Sequence, residues 1–323
     1  MFDTGQPFTV AMACGAGLTP RQLQSSRFRR LFSGVYVDSE VEVTTELLAR
    51  AVGLVLPVGA VVGGATAALL HGADVRRQGE DRIAVVTARE DQVRRRGVVS
   101  RAALVEEGDV VEVFGIRCLS PVRVAFDFAR CCRVVDGLVG VDAMLNRGGC
   151  RLEDLVGYAE ARPGWRGVRF ARDLLRHAEP LSESVMETRL RLALVRDGLP
   201  RPTAQVDLYD PSGAHVARLD LGYPEWKVGI DYDGEVHRDR WRYDLERQEG
   251  VRDLGWWHRR YTSIHAADGW RQVVGQVRDA LAAAGWRPRS PSESPQLPRD
   301  LALFNGRSGS NTLKSARSRL KAG

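Results

Sequence analysis

Apolar and polar positions in the last third of the chain change from a helical to a strand-like spacing. From residue 182 to residue 200, apolar side chains are mixed with arginines as on an amphipathic helix, and Gly198 supplies a stop signal. Two short β-like segments follow, one around Asp220 and one running through Trp226–Ile230 into Asp231. The pattern predicts a helix followed by two adjacent strands, each of which delivers a carboxylate to one edge of a sheet.

Helical and strand-like spacings also alternate in the rest of the chain. Residues 1–45 contain two short helix-like segments and then the basic segment RFRRLFSGVYV, which turns at Gly34 into a strand. Two helices followed by a β-wing are the order of a winged helix-turn-helix. Residues 46–150 alternate helices and strands, and residues 151–180 form a basic amphipathic helical connector. We therefore predict an α/β multidomain chain, with a winged helix, a small middle α/β domain and a C-terminal mixed sheet flanked by helices.

The C-terminal pattern places acidic residues where strand packing favours apolar ones. Asp220, Asp231 and Asp233 stand among apolar strand residues, and His237 follows closely. Two neighbouring carboxylates raise each other's pKa unless a cation lies between them. Oxygen ligands of this kind suit Mg²⁺ or Mn²⁺ better than Zn²⁺. Glu187 is a further carboxylate, near the apolar side of the preceding helix. If this side faces the sheet, the carboxylate needs a partner there.

Each of these residues also has an ordinary structural explanation. An Asp-Gly pair, here beginning at Asp233, is a strong signal for a hairpin turn, which would leave the carboxylate in solvent. Asp220 could form a salt bridge with Arg218 or Lys227. A histidine flanked by charged residues, as His237 is, is more often a solvated loop residue. The spacing alone leaves both explanations open.

The order of these elements resembles the Vsr-like (very short patch repair) branch of the PD-(D/E)XK nuclease superfamily. The likeness covers residues 181–286. Downstream of the acidic residues it includes a helix with Asp244 and Arg247, a strand that opens at Gly255, and a closing helix from about residue 269 to residue 284. The resemblance implies a restriction-endonuclease-like fold for this part of the chain.

The resemblance also implies roles for five residues in metal-assisted hydrolysis of a phosphodiester. Asp220 and Asp231 match the two metal-binding acids, and many relatives have Glu at the second position. Asp233 stands where the superfamily usually has lysine, an exchange that the Vsr-like branch shares. Glu187 matches the helix carboxylate. His237 would orient or deprotonate the attacking water, or protonate the leaving oxygen.

Polar residues of the N-terminal segment are candidates for contact with DNA, because a winged helix-turn-helix turns its second helix and its wing toward bases and phosphates. This segment resembles the N-terminal domain of AbiEi-type antitoxins, which are transcriptional autoregulators of type IV toxin–antitoxin systems, and the middle region follows the order seen in such fused proteins. A small protein-interaction domain with a basic face is the other interpretation. The candidates are Gln22, Gln24, Ser25, Ser26, Arg27, Arg29 and Arg30, together with Trp241 beyond the acidic residues, which could stack on a base.

Composition indicates the class and location of the protein but says little about its chemistry. The chain of 323 residues is 44% hydrophobic and has no apolar run long enough for a membrane span, so we predict a soluble, cytoplasmic protein. Its net charge of +6 comes from residues 287–323, where eight basic residues meet two acidic ones. This tail is rich in Pro, Ser and Gly and is predicted to be disordered. The rest of the chain is neutral, and overall basicity gives little support to a nucleic-acid function.

Two classes of function compete for this sequence. The first is a metal-dependent DNA endonuclease, with Mg²⁺ or Mn²⁺ as cofactor, that the N-terminal domain targets. The second is a non-catalytic DNA-binding regulator or antitoxin, in which a degenerate nuclease fold binds DNA or docks a partner. DNA is the expected partner in both, and a toxin or a second copy of the chain is a further candidate. Cleavage of RNA stays open, because metal-assisted hydrolysis works on either backbone.

Overall fold

Three sheets and the helices packed on them make up the described part of the chain, which confirms the expected mixed α/β class. None of the described helices is long and apolar enough to cross a membrane. His237 and residues 289–323, the bulk of the tail expected to be disordered, lie outside the described residues. The computed structural model describes residues 2–77, 79–87, 94, 96–233 and 241–288, with residues 241–246 described by their backbone alone.

The N-terminal segment forms a small sheet with one helix beside it. Its elements are β1 (Phe8–Thr9), α1 (Val10–Gly15), a 3₁₀ helix (Gln22–Gln24), β2 (Phe28–Phe32) and β3 (Val35–Asp38), and β3 lies between β1 and β2. The side chain of Thr9 caps α1 by accepting a hydrogen bond from the backbone N–H of Met12. The second expected helix is only this 3₁₀ turn. It ends at Ser25, whose backbone is extended and whose hydroxyl donates to the carbonyl oxygen of Gln22.

The middle of the chain forms a five-stranded sheet with helices packed against it. Its elements are α2 (Thr45–Gly53), β4 (Val61–Val62), α3 (Gly64–Leu70), β5 (Ile83–Thr87), β6 (Val98–Ala102), β7 (Val110–Val113), β8 (Ile116–Leu119), α4 (Pro121–Cys131), α5 (Val134–Asn146), α6 (Leu152–Glu160) and α7 (Val168–Leu175). The strands lie in the order β6-β5-β4-β8-β7. Helices α6 and α7, in the region expected to be a connector, share one hydrophobic core with α4 and with the inner face of the β2–β3 hairpin. The N-terminal hairpin and the connector are therefore packed onto the middle sheet.

A buried arginine holds several of these elements together. Arg123 on α4 is fully buried, and its guanidinium contacts the carboxylates of Asp109 and Asp127, with 3.3 Å between its Nε and Asp127 Oδ2. The same guanidinium lies over the ring of Trp165, 4.7 Å from the ring centre. Because a buried charge is tolerated only where it is paired, this cluster fixes α4 against the segments before β7 and α7.

The C-terminal part forms a four-stranded mixed sheet. Its elements are α8 (Val185–Arg196), β9 (Thr203–Tyr209), β10 (His215–Tyr223), β11 (Val228–Tyr232), α9 (Trp241–Asp253), β12 (Trp257–Tyr261), α10 (Ser263–Ala266) and α11 (Arg271–Ala283). The order is β12-β11-β10-β9, with β11 and β12 parallel and the other pairs antiparallel. Ser184 caps α8 by accepting from the backbone N–H of Glu187. Helix α8, strands β10 and β11, helix α9, strand β12 and helix α11 follow in the expected order, whereas β9 and α10 were not predicted.

Helix α8 belongs to two hydrophobic cores at once. Leu190 and Leu194 lie in the core of the C-terminal sheet, whereas Leu192 lies in the core of the middle sheet. Beside Leu192, the buried Arg191 donates from Nη2 to Oδ2 of Asp142 on α5 at 2.6 Å. The C-terminal sheet is therefore fixed against the middle sheet through α8.

Candidate functional site

Two aspartates lie side by side on the central strands of the C-terminal sheet, as the spacing predicts. In the antiparallel register Leu221 pairs with Ile230, so the next residues along, Asp220 and Asp231, face each other. The backbone N–H of Asp220 donates to Oδ1 of Asp231 at 3.1 Å, and the backbone N–H of Tyr232 donates to Oδ2 of Asp220 at 2.7 Å. Each carboxylate thus accepts a hydrogen bond from the opposite strand just where the regular pairing ends.

The salt bridges considered for Asp220 do not match the observed contacts. The side chain of Arg218 pairs with Glu183 at 2.8 Å, and Nζ of Lys227 donates to the carbonyl oxygen of Leu254 at 3.0 Å, so neither cation forms the salt bridge considered for Asp220. The hairpin turn considered for Asp233 would continue into residue 234, which lies outside the described residues. The next described element after β11 is a helix, and the next strand, β12, runs parallel to β11. The backbone N–H of Asp233 donates to Tyr261 on β12 at 2.7 Å.

Glu187, in the first turn of α8, faces the sheet. It is 5% exposed, and its Oε2 accepts hydrogen bonds from Nε2 of Gln205 and from the backbone N–H of Glu183, each at 3.0 Å. Burial raises its pKa. Gln205 lies on β9 between the residues that pair with Leu219 and Leu221, and it adopts a left-handed backbone with φ of 52°. This conformation is costly for a residue other than glycine and aims the amide at Glu187.

The surroundings of Asp220 disfavour its charged form. Burial, then the negative charge of Asp231, raise the pKa of Asp220 to about 7, and Glu187 acts in the same direction. The N–H of Tyr232 and the more distant Arg247 oppose the rise without cancelling it. Asp220 is therefore close to half-protonated near neutral pH, which is a typical property of functional carboxyl groups.

Replacing Asp220 by asparagine is expected to stabilise the protein at about pH 8, and less so at about pH 5. Because the pKa of Asp220 is raised in the folded state, the wild-type protein loses stability as the pH rises from 3.8 to about 7, and the neutral amide escapes this loss. The gain at the higher pH should be at least about 1 kcal/mol, measured as the free energy of unfolding in urea. The exposed Asp253→Asn is the control. A gain for Asp220→Asn that shrinks as the pH rises would contradict the raised pKa.

Asp231, by contrast, is held in its charged form. It is 4% exposed, and its Oδ2 lies 2.8 Å from Nη2 of Arg247 on α9 and 2.9 Å from Nε2 of His258 on β12. Burial acts to raise the pKa of Asp231, but the hydrogen bond from His258 and the charge of Arg247 outweigh it, and the pKa lies below its ordinary value. The two facing aspartates therefore have opposite protonation preferences.

Glu187, Asp220 and Asp231 form an acidic cluster with the residues that contact them. Three of these contacting residues had no assigned role in the sequence analysis. Arg247 was expected only on a helix, and neither His258 nor Gln205 received a role. The strand register explains how His258 reaches Asp231. In the parallel register Gly229 pairs with His258 and Asp231 with Arg260, so alternate residues of β12 lie on the same face of the sheet as Asp231.

The described side chains do not complete a site for a divalent cation. Within the described ranges no group of three or more His, Cys, Asp or Glu side chains could hold a metal. Both oxygens of Asp231 are already engaged, and Oδ2 of Asp233 lies 3.4 Å from Nη1 of Arg260. His237 lies outside the described residues, and Trp241 begins α9 without a described side chain. Mg²⁺ or Mn²⁺ at this cluster stays a prediction from the sequence.

All seven candidate DNA-contact residues of the N-terminal segment are exposed, and they differ in how they are held. The side-chain oxygen of Gln22 accepts from the backbone N–H of Thr19 at 2.7 Å and so caps its own turn. Arg30 pairs with Asp81 at 2.7 Å, which compensates its charge. Arg29 donates to a backbone carbonyl at 3.1 Å, and Arg27 lies 3.8 Å from a carboxylate with 63% of its side chain exposed. Arg27 and Arg29 are the cations best placed to meet a phosphate.

Comparison with known proteins adds one family to this picture. Residues 59–177 match the AbiEi antitoxin C-terminal domain. Two proteins of Mycobacterium tuberculosis, uncharacterized protein Rv2248 of strain H37Rv and uncharacterized protein MT2308 of strain CDC 1551, are each 28% identical to this chain over 246 residues. Those residues are 73% of this chain and 85% of each relative.

The family match corrects the position of the antitoxin likeness. The sequence analysis assigned that likeness mainly to residues 1–45, whereas the match covers the middle sheet and helices α6 and α7. The N-terminal signal was misleading because short helices and a hairpin are common, whereas the long order of middle elements is more specific. The match does not extend to residues 181–286, so a nuclease-like interpretation of that part rests on its own residues.

Proposed function

We propose that this protein is a DNA-binding regulator of the antitoxin kind, with the N-terminal unit as its DNA-reading part. The observation that carries the proposal is the match of residues 59–177 to an antitoxin domain. In the chain, this region follows a helix and a hairpin with exposed cations. The hairpin packs into the same core as the matched region, so a surface bound to DNA would be rigidly joined to it.

The proposed unit is a winged helix whose contacts lie mainly on the wing. Its second helix is a single 3₁₀ turn, which offers few positions to base edges. Among the exposed polar residues there, Gln22 and Ser25 form hydrogen bonds within the turn, and Gln24 and Ser26 are the better candidates for contact with bases. Arg27 directly precedes the first strand of the hairpin and Arg29 lies in it, and both side chains would neutralise phosphates. Affinity should therefore depend strongly on salt, because each neutralised phosphate releases counterions.

A toxin is the second partner that this proposal implies. The support is the antitoxin family of the matched region, together with its position between the DNA-reading unit and the C-terminal sheet. The C-terminal sheet, fixed to the middle through α8, would then serve to bind DNA or to dock the partner.

The proposed function is tested by measuring how tightly the full chain binds the DNA upstream of its own coding sequence. Fluorescence anisotropy is the readout. We expect tighter binding to this duplex than to a scrambled duplex of equal length. The logarithm of the affinity should fall linearly with the logarithm of the salt concentration. Equal affinity for both duplexes would exclude a sequence-reading regulator.

Metal-dependent cleavage of a phosphodiester is the second candidate, and one specific observation favours it. Glu187, Asp220 and Asp231 come together on one side of the sheet, in the order that the Vsr-like resemblance implies. Incubation with supercoiled DNA and Mn²⁺ tests it, with Asp220→Asn as the inactive control. Equal cleavage by the wild type and this variant would exclude the cluster as the catalytic site.

A further inference from the structure

Arg247 occupies one of the two carboxylate oxygens of Asp231. Its Nη2 is 2.8 Å from Oδ2 of Asp231, and the same nitrogen donates to the carbonyl oxygen of Arg218 at 2.6 Å. It is thus tied to β10 and β11 at once, with 18% of its side chain exposed. The remaining oxygen of Asp231 accepts the N–H of Asp220, so neither oxygen is without a hydrogen-bond donor.

The charges around the pair suggest what this contact does. Two carboxylates on facing strands require a nearby positive charge when both are ionised. The guanidinium of Arg247 supplies one positive charge, and this charge is permanent. A divalent cation bound to the same oxygen of Asp231 would lie only a few Å from the guanidinium. Like charges at that distance repel strongly in a partly buried site.

We infer that Arg247 takes the place of a divalent cation at the Asp220–Asp231 pair, and that the cluster binds such a cation tightly only when this side chain is removed. The inference rests on the acidic site of the second candidate function and does not depend on the DNA-binding proposal. Arg247 is in this view a positioning residue: it holds Asp231 ionised and keeps the two strands together at the point where regular pairing ends.

The test measures binding of Mn²⁺ alone to the full chain by electron paramagnetic resonance, with no nucleic acid present. Arg247→Gln should bind Mn²⁺ at least about tenfold more tightly than the wild type, because it removes one positive charge next to Asp231. Arg252→Gln, an exposed arginine on the same helix, removes the same charge elsewhere and should leave the affinity nearly unchanged. Equal affinities of the two variants would overturn the inference.

A second variant keeps the inference testable in case Arg247→Gln does not fold. Arg247→Lys keeps the positive charge next to Asp231 and should therefore change Mn²⁺ affinity by less than about twofold relative to the wild type. A gain of more than about twofold for this variant would mean that the charge of Arg247 does not exclude the metal, and it would overturn the inference. Neither measurement uses DNA, so failure here is distinguishable from failure of the proposed regulator or of the cleavage assay.

Discussion

Asp142→Ala is expected to destabilise the protein by about 3–5 kcal/mol, the effect of removing one partner from a buried ion pair. Asp142 and Arg191 are each 1% exposed. Oδ2 of Asp142 accepts from Arg191 at 2.6 Å and from the hydroxyl of Thr188 at 2.8 Å, and Oδ1 accepts from the backbone N–H of Glu179 at 2.8 Å. Alanine would leave a buried guanidinium and two further donors without this acceptor.

This loss should appear in the free energy of unfolding measured by urea denaturation. Asp136→Ala is the matched control, because Asp136 lies on the same helix and also pairs with arginines, at 2.6 Å from Arg77, but is 34% exposed. Salt bridges of that kind contribute about 0–1 kcal/mol. Equal losses for the two variants would mean that the junction of α5 and α8 does not depend on the buried pair.

The double variant Arg27→Ala, Arg29→Ala is expected to bind the upstream DNA about 100-fold more weakly, at roughly tenfold for each lost contact. Both side chains are exposed at the N-terminal hairpin, and their described contacts, with Ser39 and Asp38, lie in or next to the same hairpin. If they contact phosphates, the slope of affinity against salt should also become shallower by about two.

The control for this variant must lose the same charge far from the hairpin. Arg151→Ala, Arg176→Ala removes two exposed arginines that flank the helices of the connector, one before α6 and one after α7, and their side chains are 78% and 79% exposed. It should leave both affinity and salt slope nearly unchanged. A similar weakening in both double variants would assign the effect to net charge and not to the N-terminal face.

The apolar spacing of the strands and the stop signal at Gly198 predicted much of the C-terminal fold. Alternating apolar residues around Asp220 and the run before Asp231 predict two adjacent strands, and Asp220 and Asp231 do face each other. Gly198 predicts the end of helix α8, and it adopts a left-handed backbone there. These signals are local, and local spacing decides them.

The partners of these residues could not be predicted in the same way. Arg247 and His258 come to Asp231 from a helix and a parallel strand that follow it in the chain, and only the sheet order brings them together. The 3₁₀ turn at Gln22–Gln24 was overestimated as a helix, because a side-chain hydrogen bond from Ser25 to the backbone ends it early. Tertiary pairing and local side-chain competition are not visible in residue spacing.

The most direct test of the whole account is a gel shift of the full chain with its upstream DNA in the presence of EDTA. If the N-terminal hairpin reads DNA and the acidic cluster carries its own cation in Arg247, binding needs no divalent metal. We predict that the protein binds this DNA in EDTA at least as tightly as in Mg²⁺ at matched ionic strength, and that the recovered DNA is intact. Retention that appears only with Mg²⁺ would contradict the account.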